Sequence, residues 1–240
     1  MSYSKQALDD ITQRNGWVGT MAVAALVQLV PVLAWNNYGF FLNWSKEIAA
    51  GKDTPLPSYK VNGENFKAGF FVFLIGVIAG IATAIVGGIL GLAPIIGGLL
   101  SLCAGVFVGL FSSVMTMRYA ASGAFGDAFK LKDCWAAFTK RPAGLIEAVY
   151  LPALIVGIIA SILLAIVIVA LCTLLFGSLY FPSLRTDGLF ISGAIFETMV
   201  LALVAWIFVS VAMALAMGVT FRALGRWTFD AAPQWTGFEK

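Results

Sequence analysis

Two side chains in this sequence stand where a membrane-embedded step would need them: Glu197 and Gln28. Glu197 is the only acid well inside an apolar stretch, and an intramembrane carboxylate can carry a proton or hold a cation. It also lies within two turns of the outer end of its segment, beside Thr198, so an interfacial setting competes with a functional one. Gln28 is eleven residues beyond Trp17, about 16 Å along a helix and so near mid-membrane. Its amide needs partners, either on another helix or on a substrate.

Around these two the chemistry is thin. The chain has no histidine, which removes histidine-ligated zinc and haem and any Ser-His-Asp or Cys-His pair. Its three cysteines, Cys103, Cys134 and Cys172, form no CxxC pair. Cys103 and Cys172 read as small hydrophobes within apolar runs. No Asp pair lies inside the apolar segments, and no GxSxG nucleophile motif occurs. No metal or cofactor is expected, and an enzyme is the poorest functional class.

The elements that must carry these residues follow from composition. Of 240 residues, 60% are hydrophobic and 11% charged, against about 25% charged in soluble domains. Apolar runs repeatedly reach the roughly 20 residues that cross about 30 Å of hydrocarbon as a helix. The expected fold is all-α: one integral membrane domain, a polytopic helical bundle of about five spans near 17–36, 68–90, 94–116, 148–176 and 190–217. The start, "MSYSKQALDDITQRNGW", has no signal-peptide core, so the first apolar segment is expected to remain as a helix. From Ala68 to Phe111 no residue is charged, and these forty-four positions would make about 66 Å of helix, twice a bilayer core. A turn is required, and "GGILGLAP", with Gly91 and Pro94, supplies it.

Two stretches read as amphipathic helices on the membrane surface. Phe40, Phe41, Trp44 and Ile48 recur at helical spacing in the first; Phe125, Ala128, Phe129, Trp135 and Phe138 share a face in the second. With five spans, twelve Lys and Arg, in 37–67, 118–141 and the tail, fall on one side and three (Lys5, Arg14, Arg185) on the other. That bias places the long loops and the C-terminus in the cytoplasm of a cell-membrane protein, with the N-terminus outside. Gln28 and Pro31 would also allow the first segment to re-enter, which returns the N-terminus to the basic side.

Glycines mark candidate packing faces. Gly76/Gly80, Gly87/Gly91 and Gly105/Gly109 are each four apart, so each pair bares a strip of backbone for a neighbouring helix, or else for a pore or lipid groove. The polar stretch "DTPLPSYKVNGENFKAG" sets turns with its Pro and Gly, with Tyr59 at the headgroup level or on a partner.

The order of residues around that loop carries a resemblance. Tyr38-Gly39, then "AAGKD", Leu56-Pro57 in "LPSY", Asn62-Gly63 and Phe66 to Gly69 in "FKAG", with "RYAASGAFGDAF" later, is similar to the series in a family of prokaryotic polytopic membrane proteins, the domain of unknown function 4013 family. The resemblance runs from about Gly16 to Gly225, and this chain has Tyr-Gly where the family has Gly-Tyr. It implies a membrane architecture and no assigned activity. The leading functional expectation is a non-enzymatic helical subunit or scaffold that packs with membrane lipids, membrane-protein partners or further copies of itself. The alternative is a small transporter or channel for ions or an amphiphile. Nucleic acid is not an expected partner.

Overall fold

The computed structural model describes the backbone of residues 2–93, 96–180 and 188–236, and within these every side chain except those of 171, 173–180 and 188–195. Regular structure among the described residues is helical throughout: α1 (Tyr3–Thr12), α2 (Trp17–Gln28), α3 (Pro31–Ala49), α4 (Gly63–Leu90), α5 (Gly97–Ser122), α6 (Leu131–Lys140), α7 (Pro142–Tyr180) and α8 (Gly188–Ala231). Two short 3-10 turns, Phe125–Phe129 and Pro233–Trp235, complete it.

Four helices are long and apolar enough to cross a membrane: Gly63–Leu90, Gly97–Ser122, Pro142–Ala170 and Phe196–Ala231. With the shorter apolar helix Trp17–Gln28 they account for the about five apolar segments expected. The chain is an integral membrane protein. α4 and α5 form a hairpin whose turn begins at the expected place: Gly91 caps α4, while Pro94 lies outside the described residues. The turn is close enough that a Cβ on Gly97 would stand 2.3 Å from the Leu90 carbonyl oxygen, so a glycine is required there. Ser101 Oγ ties the hairpin further, donating to Gly87 O at 3.1 Å.

The first predicted span takes a different shape. α2 ends at Gln28 and α3 restarts at Pro31, because proline has no N–H to continue the helix and its ring collides with the carbonyl four residues back. Twelve residues of α2 reach about 18 Å, short of a bilayer core of roughly 30 Å. Both ends of the α1–α3 stretch meet the same turn of α8. Asp10 bonds Arg222, and Ser45 Oγ donates to Phe221 O at 2.5 Å. The stretch between them therefore goes out and returns, and exposed Leu26, Leu29, Val30, Val32 and Leu33 form its apolar tip. The N-terminus lies on the same side as the end of α8, as the re-entrant alternative requires.

α3 is also not a surface helix. Phe40, Phe41, Trp44 and Ile48 are buried, held between the start of α4 and the end of α8. Close glycines permit this: a Cβ on Gly225 would fall 2.6 Å from Ser45 O, and one on Gly218 3.1 Å from the Phe41 ring. α8 itself continues to Ala231, so the predicted C-terminal tail is largely the last turns of a helix.

The second polar stretch is two pieces, the 3-10 turn and α6, separated at Lys130. Gly123, at φ 73°, ends α5 in a left-handed conformation suited to glycine. The two pieces anchor separately: Phe125 stacks on Phe71, and Phe138 meets Phe107 and Phe111. The polar end so assembled, the base, gathers thirteen of the fifteen Lys and Arg. The other two, Arg185 and Lys240, lie outside the described residues.

Candidate functional site: a polar base beneath apolar helices

The loop before α4 is built as a strap. It cannot be helical, so its backbone groups need other partners, and asparagines on α3 and α4 supply them. Asn36 Nδ2 donates to Tyr59 Oη (2.9 Å) and Lys60 O (3.1 Å), and its Oδ1 accepts from Asn62 N (3.2 Å). Asn37 Nδ2 donates to Ala24 O at 2.7 Å, and its Oδ1 accepts from Tyr59 Oη. Asn62 Oδ1 caps α4 by accepting from Asn65 N at 2.7 Å. Asn65 in turn accepts from Asn43 and donates to Lys60 O. Burial holds the Tyr59 phenol above its ordinary range, although the Asn36 amide works in the opposite sense.

Beneath the strap, α3 and α4 touch backbone to backbone. A Cβ on Gly39 would stand 1.7 Å from Asn65 O, and one on Gly69 1.6 Å from Trp35 O. Of the other motif residues, Leu56 is fully buried, Phe66 meets Trp35 edge-on and Tyr38 faces the Phe221 ring. Pro57 is exposed, and Gly63 opens α4 with nothing within 4 Å of where a Cβ would stand.

The second assembly is ionic. Arg222 is 1% exposed; its guanidinium lies 4.6 Å from the Trp44 ring centre, donates through Nε to Asp10 (2.8 Å) and through Nη2 to Asp53 (3.0 Å). Arg226 Nη2 bonds the same Asp10 oxygen at 2.6 Å. Two arginines and two carboxylates leave the cluster without net charge. Nearby, Arg141 Nη1 donates to Tyr3 Oη and Asp230, both at 2.9 Å. Desolvation and the Asp230 partner raise the Tyr3 phenol above its usual range. Glu147 takes bonds from Ser2 Oγ and Ser4 N and so docks the start of α1. These pairs fasten α1 to the base.

The third is a cavity of about 470 Å³ between α4, α5 and α8, with Tyr38 of α3 at one wall. Ser112, Ser113, Thr116 and Thr220 give it hydroxyls, and Gly76 and Val77 form part of its rim. Among the described residues no group of three or more His, Cys, Asp or Glu could hold a metal ion. What the three assemblies offer chemically is hydrogen bonding and ion pairing.

The predicted polar residues stand apart from one another. Gln28 is half-buried at the end of α2, and its Oε1 is buried with no hydrogen-bond partner among the described residues. Glu197 is exposed on α8. Gly87 and Gly105 line the α4–α5 contact, where a Cβ would stand 3.8 Å from Ser101 and 3.6 Å from Thr83 respectively. A Cβ on Gly109 would meet the Tyr150 hydroxyl at 3.1 Å, and Gly91 abuts the carbonyl of Gly87 in its own turn. Gly76 and Gly80 face open space, so within this chain they are no part of a packing seam. The spacing identifies a bare face and says nothing of whether a neighbour fills it.

Sequence reasoning missed the Arg222 cluster and the asparagine strap. The signals were present: Arg222 and Arg226 share a helix face four apart, and Asn36-Asn37 interrupts an apolar helix.

A family model described as "Protein of unknown function (DUF4013)" matches residues 22–173. No curated protein and no solved structure matches the chain.

Proposed function

We propose, for a chain that belongs to the DUF4013 family of proteins of unknown function, a role as a non-enzymatic membrane subunit whose long apolar helices take lipids or partner helices against them. The observation that carries this is the contrast between the base and these helices. The base is closed by ion pairs, asparagine hydrogen bonds and glycine contacts. Above it, α7 exposes Leu154, Ile155, Ile158, Ile159, Ile162 and Leu164 around much of its circumference, and α4 exposes Ile78, Ile81, Ile85 and Ile89. Bare Gly80 on α4 suits close approach by another helix. In this reading the base faces the cytoplasm, because Lys and Arg gather on that side of a membrane protein.

Extraction of the full chain from its own membrane in polymer-bounded discs, followed by native mass spectrometry, tests the role. A stoichiometric protein partner or a defined oligomer is the expected result. A lone monomer, together with solute or proton flux in reconstituted vesicles, overturns it in favour of the transporter reading. That alternative draws its support from the hydroxyl-lined cavity and the unpartnered Gln28 oxygen.

A further inference from the structure

The cavity between α4, α5 and α8 has a lining specific enough to name a ligand class. Its polar groups are five hydroxyls, and no lining side chain carries a charge at neutral pH. Three of those hydroxyls have committed their protons. Ser112 and Ser113 donate to Gly109 O at 2.8 and 3.1 Å, and Thr116 donates to Ser112 O at 2.9 Å. What they turn outward is lone pairs. Tyr38 Oη and Thr220 Oγ1 have no hydrogen-bond partner among the described residues, and each has a proton to give. The site thus offers both acceptors and donors, and no counter-charge.

A matching head must bring a hydroxyl for the acceptors, carbonyl oxygens for the donors, and no formal charge. A phosphate would enter uncompensated, because no Lys or Arg is among the residues that line the cavity, and an unpaired charge out of water is costly. Phe73 and Val77 in the wall are themselves exposed, so the cavity opens to the hydrocarbon layer. Acyl chains can leave it along the apolar faces of α4 and α5. The cavity, about 470 Å³, falls within the range of small-ligand sites, about 300–1,000 Å³. From these features we infer that the cavity binds a neutral glycerolipid of the diacylglycerol class, which has one free hydroxyl, two ester carbonyls and no charge. The inference rests on the membrane-subunit reading and names one lipid that the subunit holds.

The test uses the full chain in phosphatidylcholine nanodiscs containing a diazirine-bearing diacylglycerol, irradiated and mapped by peptide mass spectrometry. Labelling concentrates on 72–77, 112–116 and 220–224 over the lipid-facing 158–166 of α7, and excess unlabelled diacylglycerol removes it. Tyr38→Phe and Thr220→Val each delete one uncharged hydrogen bond and lower labelling about fivefold at subsaturating probe. Gly76→Leu places a side chain where no atom of the chain stands within 4 Å and blocks the rim without loss of thermal stability. Equal labelling by a diazirine-bearing phosphatidylglycerol, even labelling along α7, or indifference to Tyr38→Phe and Thr220→Val overturns the inference. Partner retention is read in a separate experiment. A cavity that fails beside a retained partner leaves the subunit role standing, and a labelled cavity in a lone monomer does the reverse.

Discussion

Asp10 and Arg222 are 212 positions apart in the chain, and an Asp10 carboxylate oxygen accepts a hydrogen bond from Arg222 Nε at 2.8 Å. Arg222 is almost wholly buried, and its other carboxylate partner, Asp53, is 79% exposed. Removing Asp10 would leave a buried guanidinium with one solvated partner. Breaking a buried pair costs several kcal/mol, more than replacing both members by apolar groups. Asp10→Asn should therefore lower stability by about 3 kcal/mol in thermal unfolding in detergent, and adding Arg222→Met should recover much of the loss. An Asp10→Asn variant as stable as the parent would mean that α1 is not docked on α8.

Gly39 and Gly69 should be the least tolerant glycines. A methyl group at either would overlap a backbone oxygen of the facing helix at under 2 Å, and backbone cannot swing aside as a side chain can. Gly39→Ala and Gly69→Ala should each destabilise by more than about 3 kcal/mol, beyond ordinary overpacking, or prevent accumulation of folded protein. Gly80→Ala, facing open space, should leave the unfolding midpoint of the monomer unchanged. Equal effects at Gly39 and Gly80 would show that α3 and α4 do not meet as described.

The termini should share a side of the membrane. In a background without native cysteines, Lys5→Cys on α1 and Lys132→Cys on α6 should both react with an impermeant maleimide only when the basic face is presented. Reaction of the two from opposite faces would restore a spanning first segment and exclude the return through α3.

The long apolar helices could be read from sequence because their signal is local: most of α4 and α5 falls in the forty-four uncharged residues from Ala68 to Phe111, interrupted by a glycine-rich turn. The break at Pro31 was equally local. The return that follows it was not, since it depends on Asn36 and Asn37 finding Tyr59, and on Ser45 finding Phe221 far along the chain. The amphipathic pattern of Phe40, Phe41, Trp44 and Ile48 was legible too, but periodicity shows only that a face is apolar. Whether lipid or α8 covers it is decided by glycines at 218 and 225. The same limit applied at Gly76 and Gly80. Arg222 read as an orientation signal because its partner Asp10 belongs to the other end of the chain.

Cys134 gives a pH readout of how closed the base is. Its thiol is buried, donating to Ala128 O, and burial pushes its pKa up to about 11. Only the thiolate attacks a maleimide, so with Cys103 and Cys172 replaced by Ala, labelling should be slow at pH 7 and rise about tenfold per pH unit through pH 9 and above. The linkage has the matching sign. The unfolded thiol ionises near pH 9 while the folded one stays protonated, so this group's contribution to stability falls as pH rises from about 9 to 11. A labelling rate that levels off near pH 9 would show a solvated thiol and a base more open than described.

Gln28 separates the two functional readings most directly. Its Oε1 is buried and has no hydrogen-bond partner among the described residues, a condition that costs about 1–3 kcal/mol when nothing else satisfies the group. If the chain acts as a scaffold and nothing binds at Gln28, Gln28→Leu replaces an orphan acceptor by an apolar group of similar length in an apolar setting. Stability should then stay level or rise by about 1 kcal/mol, with partner retention unchanged. If a solute or a partner's donor satisfies that oxygen in the membrane, Gln28→Leu removes the contact, while Gln28→Glu, which keeps the acceptor but brings a charge, alters affinity in a pH-dependent way. Unfolding midpoints in detergent, measured beside partner retention or flux in vesicles, distinguish these outcomes. A stabilised Gln28→Leu variant that keeps its partner supports the subunit role, and one that folds normally but loses flux makes Gln28 a solute contact.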